Sequence, residues 1–290
     1  MNALQAIAGR VRLWLSLVRF SHTLFALPFA LGALVVAEGG APRPRVALLV
    51  LACMVTARNA AMAFNRLADH KFDAENPRTK RRHLPAGLVT PGGVACFVAL
   101  NGALFVLAAF GLNDLCGILA FPTLATLCGY SLLKRFTWAA HIGLGIAEAI
   151  APCGAWLASR GELEPFPLLL GGIVLLWIAG FDIIYATQDA DVDRATGLHS
   201  IPQRFGIPGA LRFALVLHLL MLALGWATGF LCALPWPWDA AFAVATLAIL
   251  YEHLFRKSPS LDALNQDFFL ANIVVSVAMM LGMFAMPFVG

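Results

Sequence analysis

Two groups of polar residues with the same spacing stand out in this 290-residue chain. Asn65, Asp69 and Asp73 are four residues apart, so their side chains share one face of a helix and neighbours lie about 5–6 Å apart. The second group has the same spacing: Tyr185, Asp189 and Asp193. Carboxylates this close repel one another unless positive charge lies between them. Mg²⁺ prefers oxygen ligands and often joins carboxylates to substrate phosphates, so the pattern predicts a magnesium-diphosphate site. The alternative is a pair of solvated acidic helix ends.

Basic residues follow both acidic groups. The cations nearest to them are Arg78, Lys80, Arg81, Arg82, Lys134, Arg135, Arg194 and Arg204. Guanidinium and ammonium groups beside a bound metal would suit the remaining phosphate oxygens of a diphosphate. For any single one of these residues, a topological role or contact with a lipid headgroup is the competing interpretation.

The composition places these groups in a membrane protein. Hydrophobic residues make up 60% of the chain and charged residues 12%, against about 45–50% and about 25% in soluble domains. A membrane-crossing helix needs about 20 mostly apolar residues. Nine such runs occur, at roughly 14–37, 46–68, 92–110, 112–133, 138–158, 167–188, 209–230, 238–255 and 265–288. We therefore predict an all-α, polytopic membrane protein with nine transmembrane helices in a bundle around a central cavity. Two cytoplasmic loops, about 69–91 and 189–208, would cap it.

The distribution of basic residues predicts the orientation. With a cytoplasmic N-terminus and nine alternating helices, the outer side holds Arg43, Arg45 and Arg160, and fourteen basic residues lie on the cytoplasmic side. This asymmetry is typical of membrane proteins. It also accounts for the net charge of +4 without a nucleic-acid partner.

We predict one domain over residues 1–290. The repeated acidic spacing indicates a weak internal duplication, with halves at about 1–135 and 136–290, and twofold construction is common where a membrane protein places a site between halves. A transporter or channel is the competing class. Transporters, however, hold their sites near the membrane midplane on broken helices, whereas these acids lie at one face.

The segments NRLADHKFDAENPRTKRRHLPAG and DIIYATQDADVDRATGLHSIPQRFG resemble the two signature loops of the UbiA superfamily of intramembrane aromatic prenyltransferases. The family pattern NxxxDxxxD is met by Asn65, Asp69 and Asp73. Its DxxxD pattern with an earlier tyrosine is met by Tyr185, Asp189 and Asp193. Its tyrosine-to-lysine element on the fourth helix is matched by Tyr130 and Lys134. The resemblance covers nearly the whole chain and implies nine transmembrane helices.

The resemblance also implies a reaction: transfer of a polyprenyl group from a polyprenyl diphosphate to an aromatic carboxylic acid, with Mg²⁺ as cofactor. The 4-hydroxybenzoate polyprenyltransferase branch, which serves ubiquinone synthesis, is the most similar. The segments LVRFSHTLFALPFALGAL and GLHSIP look more like a sister group, some of which act on 1,4-dihydroxy-6-naphthoate for menaquinone. The implied location is the bacterial inner membrane, with the site on the cytoplasmic side and the donor tail in an apolar groove open to lipid.

The residue roles follow from the matched motifs and the nearby charges. The metal ligands are Asn65, Asp69, Asp73, Asp189 and Asp193. The catalytic set is Asp69, Asp73, Asp189, Asp193 and Lys134. The diphosphate is bound by Arg78, Arg82, Lys134, Tyr130 and Tyr185. Candidates for holding the aromatic acceptor are Arg19, His22 and Arg58, although Arg58 could instead pair with an acid or line the pocket. Glu148, in the middle of the fifth predicted span, has no assigned role.

Overall fold

The computed structural model describes residues 5, 13, 14, 16–18, 26–254 and 261–289, with the backbone alone for 261–268. Within these ranges the regular structure is entirely helical, which agrees with the all-α prediction. The helices are α1 Ala26–Glu38, α2 Pro44–Glu75, α3 Pro91–Leu112, α4 Asp114–Leu133, α5 Ala140–Arg160, α6 Pro165–Tyr185, α7 Ala190–Thr196, α8 Ile201–Leu231, α9 Trp236–Leu254 and α10 Leu261–Ala285. Two short 3₁₀ helices cover Ala186–Asp189 and Met286–Phe288.

The prediction of nine membrane spans is confirmed for seven. Among the described residues, the helical stretches long and apolar enough to cross a membrane are α2 to α5, α6 together with α7, α8, and the end of α10 from Phe269 to Phe288. The first predicted span is described only as α1, which has 13 residues. Helix α9 has 19 residues, but tryptophan, proline and acidic residues at its ends lower its mean hydropathy.

Two predicted loop boundaries are wrong. The first loop was expected from residue 69, but α2 continues for 32 residues to Glu75. Nothing between Asp69 and Glu75 breaks a helix, and Asn76–Pro77 then ends it, because the residue before a proline disfavours helical geometry. The segment predicted as a loop from 189 to 208 contains α7 and the start of α8. Helix α8 is kinked at Gly206, whose φ of 70° suits glycine.

Local signals explain where the helices begin and end. Helices α2, α3, α6 and α8 each carry a proline in the first turn, where its missing N–H costs nothing. The side chains of Thr90, Asn113 and Ser200 accept hydrogen bonds from the first turns of α3, α4 and α8. Gly161 and Gly197, in left-handed conformation, end α5 and α7.

Contacts between helix termini define the two ends of the bundle. At one end, which we call the far end, Arg43 before α2 binds Glu38 at the end of α1 at 2.8 Å. The same guanidinium donates to the carbonyl of Ser159 at the end of α5, at 3.2 Å. Asn113 before α4 donates to the carbonyl of Leu157, at 3.1 Å. The opposite end, where α2, α4 and α6 terminate, is called the loop end below.

Helix α6 belongs to the most buried of the seven candidate membrane spans and packs between α5 and α8. Trp177 on α6 is fully buried and its ring lies 5.2 Å from that of Phe29 on α1. Helices α5 and α6 approach closely at Gly145, where an added Cβ would lie 2.5 Å from the backbone carbonyl of Leu175. Small residues allow such close helix contacts in membrane proteins. This contact fixes the α5 residues at the loop end against α6.

We expect Gly145→Ala to destabilise the bundle, because the new methyl group meets a backbone carbonyl that can move only with its helix. Overpacking of this kind costs about 1–3 kcal/mol, or about 2–4 °C of unfolding temperature per kcal/mol in a protein of this size. Thermal unfolding in detergent measures the effect. Gly154→Ala, on the same helix, is the matched control, since an added Cβ at Gly154 meets nothing within 4 Å. Equal unfolding temperatures of the two variants would contradict the contact.

Candidate active site

A polar cavity of about 310 Å³ opens at the loop end. Its walls come from α2, α4, α5 and α6, from the segment after α2 and from the segment between α6 and α8. The ionisable residues that line it are Arg58, Arg66, Asp69, Asp73, Arg78, Arg82, Tyr130, Lys134, His141, Glu148, Asp182, Tyr185, Asp189, Asp193 and His199. Both predicted acidic groups therefore face one cavity.

The first acidic group lies along one face of α2, as its spacing predicts. Asn65 donates to Asp69 Oδ2 at 3.3 Å and to the hydroxyl of Ser131 on α4 at 3.3 Å. Lys134, at the end of α4, binds Asp69 Oδ2 at 2.5 Å. Asp69 and Asp73 are both buried. The uninterrupted helix presents these side chains in a row along the cavity wall.

The second acidic group does not lie on one continuous α-helix, which corrects the prediction. Helix α6 ends at Tyr185, a 3₁₀ turn leads to Asp189, and Asp193 lies on α7. The backbone of Asp189, with φ −105° and ψ 1°, departs from α-helical geometry. Ser200 donates to Asp193 Oδ2 at 2.7 Å. The break lets Asp189 and Asp193 turn toward the cavity, whereas Asp191 points outward, with its side chain 97% exposed.

The segment after α2 joins the two acidic groups directly. Asn76 donates to Asp189 Oδ1 at 2.9 Å. Arg78 donates to the same oxygen through Nε at 3.0 Å and also binds Asp189 Oδ2. Its Nη1 lies 3.3 Å from the hydroxyl of Tyr185. Side chains that follow the first acidic group therefore hold the central carboxylate of the second.

Each of three predicted diphosphate-binding cations is paired with a cavity carboxylate. Lys134 pairs with Asp69, Arg78 with Asp189, and Arg82 with Asp73 at 2.7 Å. Burial disfavours the Arg78 cation, yet hydrogen bonds to Asp189 and the charge of that carboxylate outweigh it and raise the pKa of Arg78 above its usual value. These pairs neutralise three of the six carboxylates that line the cavity.

The oxygen donors of this cavity fit Mg²⁺. Asp69 Oδ1 and Asp73 Oδ2 are buried and accept no hydrogen bond from any described residue. Buried carboxylate oxygens are rarely left without a donor or a cation. Mg²⁺ takes hard oxygen ligands and is commonly held by one or two carboxylates plus phosphates and water.

Several cavity residues have no role assigned from the sequence, among them Asn76, His141, Glu148 and Asp182. His141, on α5, donates through Nδ1 to Asp182 Oδ2 at 2.7 Å, and its Nε2 accepts from the backbone N–H of Ile201 at 3.4 Å. Arg58, on α2, pairs with Glu148, on α5, at 3.0 Å. The single sequence carries no signal for the partners of His141 and Glu148, because 41 and 90 residues separate the members of the two pairs. Asn76 follows Asp73 closely and could have been included.

A second, apolar cavity of about 210 Å³ adjoins the first. It is lined mainly by residues of α2, α3, α4 and α5, most of them aliphatic, with cysteines and one threonine. Both cavities are lined by Arg58, Met62, Tyr130 and Glu148. The Arg58–Glu148 pair and Tyr130 thus lie at the junction between the polar cavity and the apolar cavity.

Most of the predicted site residues line the polar cavity, and two lie outside the described part of the chain. The five predicted metal ligands, the three cations, Tyr130, Tyr185 and Arg58 all line the polar cavity. Both alternatives left open for Arg58 hold, since it pairs with an acid and lines the cavity. Arg19 and His22 lie outside the described residues.

Comparison with known proteins decides the family. The UbiA prenyltransferase family profile matches residues 26–273. This chain belongs to the UbiA prenyltransferase family. The 4-hydroxybenzoate octaprenyltransferase of Vibrio vulnificus (strain CMCP6) is 30% identical over 267 residues, which cover 90% of this chain and 92% of that protein. The protein of the same name from Alcanivorax borkumensis is 32% identical over 235 residues, covering 80% and 79%.

Solved UbiA structures share the fold. The apo structure of a UbiA homologue from Aeropyrum pernix K1 superposes with a TM-score of 0.82 at 31% identity, covering 90% of this chain and 96% of that one. A UbiA homologue from Archaeoglobus fulgidus, bound to DMAPP and Mg²⁺, gives a TM-score of 0.74 at 21% identity, covering 96% and 99%. Together with the apolar helices, the family shows that this chain is an integral membrane prenyltransferase.

Proposed function

We propose that this UbiA enzyme transfers a polyprenyl group from a polyprenyl diphosphate to the ring of an aromatic acid, in an Mg²⁺-dependent reaction with 4-hydroxybenzoate as the acceptor. The observation that carries the proposal is the convergence of both acidic groups and three paired cations on one cavity. The names of the most similar relatives support the acceptor. The Archaeoglobus homologue bound to DMAPP and Mg²⁺ supports the donor and the metal.

The donor's diphosphate is proposed to lie between the two acidic groups. Asn65, Asp69, Asp73, Asp189 and Asp193 would hold Mg²⁺, whose positive charge stabilises the leaving diphosphate. Lys134, Arg78 and Arg82 are already positioned along the same wall and exchange a carboxylate partner for phosphate oxygens, which accept strong charge-assisted hydrogen bonds. Tyr130 and Tyr185 line the cavity beside them.

The donor's tail is proposed to occupy the apolar cavity. That chamber meets the polar one at Met62 and Tyr130, so an allylic carbon can lie at the junction while the hydrocarbon chain stays among aliphatic side chains. There the allylic C–O bond breaks and the electron pair leaves with the diphosphate. A ring carbon of the acceptor forms the new C–C bond and then loses its proton, which the released diphosphate takes up, so that aromaticity is restored. Exclusion of water protects the allylic carbocation, formed when this bond breaks, from reaction with water.

The acceptor's carboxylate is proposed to bind Arg58. This guanidinium lies at the junction, close to where the allylic carbon is expected, and its side chain is 18% exposed. In the structure Glu148 holds Arg58 at 3.0 Å. Binding of an aromatic acid would therefore exchange one carboxylate for another, and Glu148 would oppose it through like-charge repulsion.

We propose that the loop end faces the bacterial cytoplasm, across the inner membrane from the far end. The far end carries Arg43, Arg45 and Arg160, whereas the loop end carries most of the remaining basic residues of the described connections. Such an excess is typical of cytoplasmic loops. The orientation gives the cavity access to soluble Mg²⁺ and to aromatic acids.

The proposed reaction is tested with purified protein, geranyl diphosphate, Mg²⁺ and 4-hydroxybenzoate, with the product followed by mass spectrometry. We expect a geranylated acid whose formation stops with EDTA and resumes with excess Mg²⁺. Offering 1,4-dihydroxy-6-naphthoate in parallel tests the acceptor. A product from the naphthoate alone would overturn the 4-hydroxybenzoate assignment, and turnover that survives EDTA would overturn the metal requirement.

Removing either central carboxylate should abolish transfer. Mutating a residue that only hydrogen-bonds a metal ligand typically lowers activity about 10–100-fold. For Asp69→Ala and Asp189→Ala, which remove proposed ligands, we expect a larger loss of turnover. Asp191→Ala is the matched control, because this aspartate is also in the second motif but points outward and pairs only with Arg194 among the described residues. Steady-state rates and gel-filtration profiles in detergent are compared. Near-normal turnover of Asp69→Ala or Asp189→Ala would rule out the proposed Mg²⁺ site.

Glu148→Gln should improve binding of the acceptor. The substitution keeps the shape of the side chain but removes the negative charge that neutralises Arg58. We expect the KM for 4-hydroxybenzoate to fall about three- to tenfold, which corresponds to about 0.7–1.4 kcal/mol. The KM for geranyl diphosphate serves as the internal control and should not change. A higher KM for the acid would show that Glu148 assists the acceptor rather than competing with it.

A further inference from the structure

A separate group of ionisable side chains lies inside the bundle, away from both cavities. His218 on α8 is fully buried, Glu252 on α9 is 2% exposed, and His253 follows it on the same helix. One coordinating atom of each residue lies within 4.8 Å of the others. None of the three lines the polar or the apolar cavity. Ionisable residues at such depth are costly and usually have a function.

The orientation of His218 is fixed by a backbone contact. Its Nε2 lies 3.2 Å from the carbonyl oxygen of Trp177 on α6. A carbonyl only accepts hydrogen bonds, so Nε2 carries the proton and Nδ1 presents its lone pair toward Nε2 of His253, 2.8 Å away. Histidines that bind metals are held in this way, with the other ring N–H donated to a carbonyl or carboxylate.

The carboxylate of Glu252 is also oriented by a neighbouring helix. Asn272, which is fully buried on α10, donates to Glu252 Oε1 at 3.3 Å. Two imidazoles and one carboxylate thus converge from α8 and α9, and side-chain and backbone groups of α6 and α10 position them. Hydrogen-bonded carboxylates of this kind are common around protein metal sites.

We propose that His218, His253 and Glu252 bind one divalent transition-metal ion, Zn²⁺ by chemical preference. Two imidazole nitrogens with one carboxylate oxygen form a donor set that suits Zn²⁺, whereas Mg²⁺ and Ca²⁺ prefer oxygen alone. The site is distinct from the cavity of oxygen ligands at the loop end.

Metal binding requires a small, specific rearrangement. Zn–N bonds of about 2.0–2.1 Å in a tetrahedral site place two nitrogens about 3.3 Å apart, so the rings must separate by about 0.5 Å from the observed 2.8 Å. His253 is only partly buried and is the ring that moves. Its proton transfers from Nε2 to Nδ1, which leaves both facing nitrogens with lone pairs for the metal. The ion would link α9 to α8.

The test uses the full-length protein, purified without a histidine tag, depleted of metal and then incubated with Zn²⁺ in excess Mg²⁺. After desalting, elemental analysis by mass spectrometry should find about one zinc per chain, the stoichiometry of a single site with three protein ligands. An Asp69→Asn/Asp189→Asn background removes zinc held by the loop-end carboxylates. We expect His218→Ala and His253→Ala to lose the zinc, and His83→Ala, which changes a histidine of the segment after α2, to retain it.

A second measurement covers variants that fold poorly. Zn²⁺ should raise the unfolding temperature of the parent protein, because a ligand that binds only the folded state stabilises it. The partly buried position of His253 makes His253→Gln the milder variant, and Zn²⁺ should not change its unfolding temperature. Zinc at background level in the parent protein, or equal zinc in the parent and in His253→Gln, would overturn the proposal and leave a hydrogen-bonded network alone.

Discussion

Pairing of opposite charges inside a helical bundle is the constraint on which the rest of this structure depends. An unpaired buried ion costs several kcal/mol, and the polar cavity gathers four motif carboxylates and Asp182 at the end of membrane-crossing helices. The fold meets this cost by ending α4 with Lys134 and by following α2 with Arg78 and Arg82. Each of these cations pairs with a carboxylate of another element. A charged substrate can then exchange partners with groups that are already in place.

The helix ends serve this pairing. Helix α2 extends beyond its apolar stretch and carries Asp69 and Asp73 to the depth where Lys134 and Arg82 can meet them. In the second motif the helix ends instead, after Tyr185, and this interruption turns Asp189 toward Asn76 and Arg78. One acidic group is displayed by a continuous helix and the other by a broken one, although their sequence spacing is the same.

The sequence predicts much of this arrangement, because apolar runs and regular spacing are local properties. The face shared by Asn65, Asp69 and Asp73 follows directly from a period of four residues on a helix. The 3₁₀ turn before Asp189 was missed, since the spacing alone is equally compatible with a continuous helix. The Arg58–Glu148 and His141–Asp182 pairs depend on how α5 packs against α2 and α6, and one sequence does not contain that information. The same limit applies to His218, whose partners lie on two other helices.

The meeting of two unlike chambers at Tyr130 and the Arg58–Glu148 pair has a consequence for molecular traffic. An amphiphile with an anionic head and a hydrocarbon chain fits in only one direction, head toward the loop end and chain among the aliphatic side chains of α2 to α5. In the proposed reaction, cleavage of the head would leave two products with different preferred exits: the small anion toward water, and the prenylated aromatic acid toward the bilayer. The partition of the interior into a polar and an apolar chamber would thus give the release of the two products a direction.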